Sequence, residues 1–283
     1  MNSSGKLYLV GTPIGNLGDI TYRAVKTLEE ADFICAEDTR VTAKLLSHLD
    51  IKKPLVSYRE HSTDFDIAKI VEKIIGGKTA AEVTDAGMPS VSDPGTRLVT
   101  ACIEAGIEVD VIPGPTALTT AAAVSGMNVS RFSFEGFLSV SKKQRFEHLN
   151  SLSEDPHTLI FYEAPHKLLT TLSDFLNVFG DRKIAICREL TKLHQEVLRT
   201  TVSEAIKTFT ERSPKGEFVL IIEGYIPEKP TVTDDNITGA ADYAISLIEG
   251  GMKMTEACKL AAEKFRIKKS GIYSRVTEII EKD

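Results

Sequence analysis

Tryptophan is absent from this 283-residue chain, and cysteine occurs only four times. Cys35, Cys102, Cys187 and Cys258 stand singly, with no CxxC pair among them. That spacing excludes a disulfide framework and a thiolate zinc site and fits reduced, buried thiols. The six histidines form no HxxxH or HExxH pattern, so no metal is expected. A positive surplus is also missing: the net charge is −6. Any contact with nucleic acid must therefore come from a local basic patch. No apolar run approaches the length of a membrane span, and Leu7–Val10 is too short for a signal core. The chain is expected to be cytoplasmic. The dinucleotide fingerprint GxGxxG is missing as well. The first glycine loop, "GTPIGNLGDIT" at 11–21, has the wrong spacing and a stiffening Pro13. "IIGGKT" at 74–79 ends like a phosphate loop, but Glu72 stands where the first glycine is needed.

What remains is an ordinary globular composition, 42% hydrophobic and 26% charged, in a chain long enough for two cores. Over the first 125 residues, short apolar runs alternate with helical patterns. The runs are Leu7–Val10, Phe33–Ala36, Leu55–Ser57, Ala80–Val83 and Val109–Ile112. This rhythm predicts a mainly parallel sheet covered by helices, with ligands at the carboxyl ends of its strands. A second cycle, with runs from Phe132 to Glu223, places two strands in succession around 191–201. That succession predicts a mixed sheet. The expected division is 1–125, an α/β domain; 126–228, an α+β domain; and 229–283, a helical tail. "PEKPTVT" at 227–233 reads as the linker, with Thr255 and Ser270 as helix caps inside the tail. Between Lys253 and Arg275 the tail carries seven lysines and arginines against two glutamates. A solvated helix face and an RNA-phosphate patch both fit that surplus.

Several loops at predicted strand ends carry more polar and glycine residues than connection requires. "EDTRVT" at 37–42 offers Glu37, Asp38 and Arg40, where Asp38 or Thr39 also suits a helix cap. "DAGMPS" at 85–90 is long and built of small residues, and Ser92-Asp93-Pro94 after it reads as a helix start. "PGPT" at 113–116 stiffens a turn on both sides of a glycine, and Pro115 or Thr116 begins the helix that follows. "FYEAPHK" at 161–167 places aromatics beside Glu163 and His166. "RELTK" at 188–192 concentrates Arg188, Glu189 and Lys192.

Taken together and in this order, "GTPIGNLGDIT", "EDTR", "DAGMPSVSDPG", "VIPGPTA", "FYEAPHK", "RELTK" and "GEFVLII" resemble the tetrapyrrole-methylase superfamily. More narrowly, they resemble its branch that methylates the 2′-hydroxyl of cytidine 1402 in 16S ribosomal RNA. The resemblance implies an α/β fold of two domains with a cleft between them, plus the small helical region. It implies S-adenosylmethionine as methyl donor, leaving S-adenosylhomocysteine, and no metal. The donor's contacts would be Thr12, Pro13, Ile14 and Gly15; Asp85, Ala86, Gly87, Met88 and Ser90; Pro113, Gly114, Pro115, Thr116 and Ala117; and Phe161 with Tyr162. It also implies a homodimer acting on the small ribosomal subunit. Departures are modest: Met88 replaces the usual threonine, Ala164 a serine, and Lys167 an arginine, which loses a bidentate fork.

A ribose hydroxyl is a weak nucleophile, so positioning, a base and a neighbouring cation would each help. The catalytic candidates are Glu37, Arg40, Glu163, His166, Arg188, Glu189 and Lys192. The competing expectations are a methyltransferase for a small tetrapyrrole or a protein side chain, and a non-catalytic RNA-binding ribosome-assembly factor.

Overall fold

The computed structural model describes residues 5–91, 95–227 and 234–281, and among these ten strands and eleven α-helices follow one another, with one short 3-10 turn at Leu17–Asp19. The first sheet comprises β1 (Lys6–Val10), β2 (Phe33–Ala36), β3 (Leu55–Ser57), β4 (Ala80–Val83) and β5 (Glu108–Ile112), in the order β3-β2-β4-β1-β5. Every pairing in it is parallel. Helices α1 (Tyr22–Glu30), α2 (Thr39–His48), α3 (Asp64–Ile75) and α4 (Thr96–Glu104) connect its strands. They cover both faces, which is why strands such as FICA are apolar throughout. Leu7, Cys35, Ala80 and Leu98 meet on one face; Val10, Ile34, Ala81 and Leu28 meet on the other. Because the strands are parallel, the loops after β1, β2, β4 and β5 emerge along one edge.

Helix α5 (Ala117–Ser125) leads to the second sheet. That sheet comprises β6 (Phe132–Phe137), β7 (Thr158–Glu163), β8 (Lys183–Arg188), β9 (Glu196–Thr201) and β10 (Phe218–Ile222), in the order β6-β7-β10-β8-β9. Only β6 and β7 run parallel; the other neighbours are antiparallel. The mixed sheet predicted from the two consecutive strands is thus present. Helices α6 (Lys142–Ser151), α7 (Leu168–Phe179) and α8 (Val202–Glu211) flank it. Phe161, Phe175, Leu220 and Phe209 form the core on one face, and α5 seals the other through Ala121 and Ala122.

Capping sets the local boundaries. Helix α3 begins at Asp64 because Thr63 and Asp66 close a capping box worth about 1 kcal/mol. Helix α7 begins at Leu168, leaving His166 in the turn before it. In the tail, α9 (Asp234–Glu249), α10 (Met254–Phe265) and α11 (Lys269–Ile280) pack around Ala241, Ala257, Ile272 and Val276. Thr255 and Ser270 lie inside α10 and α11, whose caps are Lys253 and Lys268. The chain divides into two compact units, Met1–Tyr225 and Ile226–Asp283. The linker reading at 227–233 lies, beyond Pro227, outside the described residues, as does the Ser92-Asp93-Pro94 helix start.

Candidate functional site

The loops along the parallel edge are tied to one another by backbone before any ligand is considered. Thr12 and Gly87 exchange two main-chain hydrogen bonds, at 2.9 and 3.1 Å, and the Thr12 hydroxyl donates to the carbonyl of Thr84. Gly11 and Gly114 meet backbone to backbone. A Cβ on Gly114 would lie 2.9 Å from the Gly11 carbonyl carbon, and one on Gly11 would lie 2.7 Å from the Gly114 nitrogen and the Met88 sulfur. Gly87 has φ +91°, which glycine adopts without strain, and the Ser90 backbone is left-handed at φ +68°. Thr116 caps α5, its hydroxyl accepting from Thr119 N–H, so the helix begins at Ala117 directly after the stiff PGP turn. Main-chain contacts thus bring the Gly11–Gly15, Asp85–Ser90 and Pro113–Ala117 loops together at one edge of the first sheet.

Glu37 fastens the second loop to the third. Its Oε2 accepts from the Thr84 hydroxyl at 2.7 Å and from Asp85 N–H at 3.4 Å. Asp38 N–H donates to Asp85 Oδ1 at 3.1 Å. Burial raises the Asp85 pKa, and the charges of Glu37 and Asp38 add to the shift against the N–H donation. Arg40 lies out in solvent, paired at 2.5 Å with Asp38. That hydrogen bond, with the Arg40 N–H, holds Asp38 well below the usual carboxylate range while Asp38 caps α2.

The second sheet brings up the RELTK loop. Gly15 lies against the stem of Lys192, where an added Cβ would sit 2.5 Å from Cγ. The Lys192 ammonium bridges Glu189 at 3.0 Å and Glu217 at 2.6 Å. Burial alone would raise Glu189, but Lys192 and the Glu217 N–H outweigh it and leave the carboxyl lowered. Burial alone would lower Lys192, but the two carboxylates outweigh it and leave the ammonium raised. Glu189 and Thr191 both hold left-handed backbone, at φ +50° and +66°. Such strain costs on the order of 1–3 kcal/mol per residue and gathers at functional sites. Arg188 is turned to Glu196, at 3.0 Å, and to the carbonyl of Lys215.

Other candidates face elsewhere. The Phe161 ring is fully buried against Phe175, with centroids 4.9 Å apart, and offers no free face. Tyr162, on the opposite face, accepts from Leu118 N–H at 3.0 Å. Glu163 is 4% exposed, with Oε2 held by the Thr171 hydroxyl at 2.5 Å and Oε1 by Ala164 N–H. This geometry gives it a structural task at the end of β7. His166 is exposed in the adjoining turn. Ile14 is buried in the cluster beneath α5 with Leu190 and Val219, so its side chain joins loop and sheet.

Sequence reasoning passed over Glu82. This acid lies in the apolar strand β4, 1% exposed, with neither oxygen partnered among the described residues. Burial pushes its carboxyl up to about 8. The signal was present as one acid inside AAEV. It sits beneath the Asp85–Ser90 loop, where a Cβ on Gly95 would meet both Glu82 Oε1 and the Ser90 hydroxyl.

Comparison with known proteins adds to this geometry. Residues 6–206 match the family model for "Tetrapyrrole (Corrin/Porphyrin) Methylases". A Synechocystis protein named "Ribosomal RNA small subunit methyltransferase I" is 46% identical over 277 residues, covering 97% of this chain and 98% of its own. A Thermotoga maritima protein of the same name is 52% identical over 220 residues, covering 78% of this chain but 99% of its own. Solved structures share the fold. Cobalt precorrin-4 methyltransferase aligns at TM-score 0.58 and 20% identity, over 78% of this chain and 96% of its own. Diphthine synthase aligns at TM-score 0.60 and 13% identity, over 78% and 90%. With its matched span, its relatives and its two sheets in agreement, the chain belongs to the tetrapyrrole (corrin/porphyrin) methylase family.

Proposed function

We propose that this protein is an S-adenosylmethionine-dependent methyltransferase acting on the 2′-hydroxyl of cytidine 1402 in 16S ribosomal RNA. The observation that carries this reading is the near full-length similarity to proteins named as ribosomal RNA small subunit methyltransferases. The donor suits the edge where three loops are fixed by their own main chain, Gly11 packed on Gly114 and Thr12 hydrogen-bonded to Gly87. Thr12–Gly15, Asp85–Ser90, Pro113–Ala117 and Tyr162 would hold it. When bound, it supplies an electrophilic methyl group on a sulfonium.

The chain's own residues do the rest. Prearranged loops reduce the ordering cost of binding. The Lys192 ammonium, kept charged by two carboxylates, stabilises negative charge developing on the ribose oxygen. Glu189, kept ionised, orients that ammonium and stands as the proton acceptor in the same network. Glu37 acts by fixing the Asp85 loop, and Arg40, exposed beside Asp38, is a further candidate for contact with the RNA. Arg188 and His166 remain candidates for phosphate contact, and Glu163 for positioning α7.

We further propose the domain division 1–125, 126–228 and 229–283, a cytoplasmic homodimer, and the small ribosomal subunit as substrate. Among the described residues no helix is long and apolar enough to cross a membrane. The basic stretch Lys253–Arg275 of the tail serves RNA phosphates in this reading.

The test offers radiolabelled donor and enzyme to unmodified small subunits, to naked ribosomal RNA and to a porphyrinogen. Label in one cytidine, with its ribose resistant to alkaline cleavage, is the expected result. Label in the small molecule alone would keep the fold and donor and overturn the substrate. No turnover on any of the three would favour a non-catalytic assembly factor.

A further inference from the structure

A cavity of about 190 Å³ lies beside the donor loops, between the β1 loop, the end of β4 and helix α2. Thr12, Pro13 and Asp85 reach it from the donor loops, whereas Leu17, Val41, Lys44 and Leu45 carry none of the roles above. Its size sorts its occupant. Pockets for drug-sized ligands run from about 300 to 1,000 Å³. The cavity is open to solvent on one side and has the scale of one flat ring.

Its walls narrow the chemistry. Pro13, Leu17, Val41 and Leu45 make the sides apolar. Leu17 and Val41 are 43% and 40% exposed, so an inserted ring would remove both from water. The polar groups are concentrated at Thr84 and Asp85. Asp85 Oδ1 is engaged by Asp38 N–H, whereas Oδ2 has no partner among the described residues. A carboxylate oxygen accepts from the exocyclic amino group of cytosine; uracil presents a second acceptor at that position. Lys44 lines the same cavity, with no ion pair among the described residues, and offers a contact to phosphate. Thr12 and Pro13 belong both to this cavity and to the donor loop. A base seated here therefore keeps its own ribose close to the donor.

We infer that this cavity takes the cytosine base of the nucleotide being methylated, turned out of its stack, with Asp85 reading the amino group and Pro13, Leu17 and Val41 enclosing the ring. The inference rests on the ribosomal RNA reading and adds a specificity pocket to it. Extruding a base has an unstacking cost, which enclosure of the ring offsets.

Two variants test it. Val41→Trp fills the cavity from an exposed position on α2. Its methylation of small subunits, as kcat/KM, should fall about 30-fold while donor affinity by equilibrium dialysis stays within about two-fold. Asp85→Asn should erode the choice between subunits carrying cytidine and uridine at the target, from about 100-fold to below about ten-fold. That ratio is read within one variant, so a general loss of rate does not imitate it. Loss of donor binding in Val41→Trp, in parallel with methylation, would give the cavity to the donor and overturn the inference. Methylation unchanged by Val41→Trp, or a preserved cytidine-to-uridine ratio in Asp85→Asn, would also overturn it. If Val41→Trp does not melt cooperatively, the Asp85→Asn ratio decides. Failure of the wild-type protein to label ribosomal RNA would remove the functional reading and this inference together. Label in RNA with both variants behaving as wild type would remove the cavity assignment alone.

Discussion

Replacing Glu82 with leucine should stabilise the protein, by an amount that grows with pH. The wild-type carboxyl is 1% exposed in β4, without a partner among the described residues, and burial moves it from 4.5 to about 8. An acid raised in the fold binds its proton more tightly there than in the unfolded chain. Below the unfolded value both states hold the proton and the shift costs nothing. As pH rises, the unfolded chain releases a proton that the fold retains, and stability falls until the folded carboxyl ionises too. At 1.36 kcal/mol per unit, the penalty is about 2 kcal/mol at pH 6, about 3 at pH 7 and about 4 at pH 8. Glu82→Leu has no ionising group and similar bulk. Urea midpoints at pH 6, 7 and 8 should therefore separate, with the gap between the chains widening by about 2 kcal/mol over that range. Burial also raises the Cys35 and Cys102 thiols, the latter to about 11. Their destabilisation enters mainly above pH 9 in both chains, so it does not imitate the effect. Parallel curves, or a leucine variant less stable than wild type at pH 8, would refute the reasoning.

Three further outcomes follow from the site. Gly114→Ala should weaken binding of S-adenosylmethionine at least about ten-fold by calorimetry, because its Cβ meets Gly11 main chain that no side-chain rotation can clear; unchanged affinity would separate the Gly11–Gly114 contact from the donor. Lys192→Met keeps the stem against Gly15 but removes the charge between Glu189 and Glu217, and should slow single-turnover methylation about 100-fold with donor binding intact. An unchanged rate would dismiss Lys192 from the chemistry. Deleting residues 226–283 should weaken binding to small subunits and flatten its salt dependence while sparing donor affinity. The Thermotoga maritima relative matches 220 residues, which are 78% of this chain and 99% of its own. Equal loss of donor and subunit binding would instead give the tail a folding role.

The strands and the order of the motifs were legible in the sequence, because both are local properties. FICA is apolar throughout and AAEV is so but for Glu82, and their place in a βα rhythm marks both as two-sided sheet strands. The PGPT turn announces a stiff strand-to-helix junction, and Thr116 does cap the helix after it. Seven ordered motifs implied the family, and the matched span bears that out. The chemistry of individual side chains was not legible, since it depends on partners far away in sequence. Glu163 sits in a promising motif, yet Thr171 and Ala164 consume its oxygens. Phe161 and Tyr162 are neighbours in sequence, but strand alternation sends the first into the core and the second toward α5. Lys192 becomes a cation between two acids only when β8 and β10 pair and bring Glu217 to Glu189. The cavity between the β1 loop, β4 and α2 exists only because β1 and β4 are sheet neighbours while lying some seventy residues apart in the chain. Sequence by itself determined which segments become strands, helices and turns, through periodicity and backbone preference. Tertiary structure alone decided which carboxylate is free, which is spent and which is stranded, because burial and pairing are set by neighbours that the chain brings together only on folding.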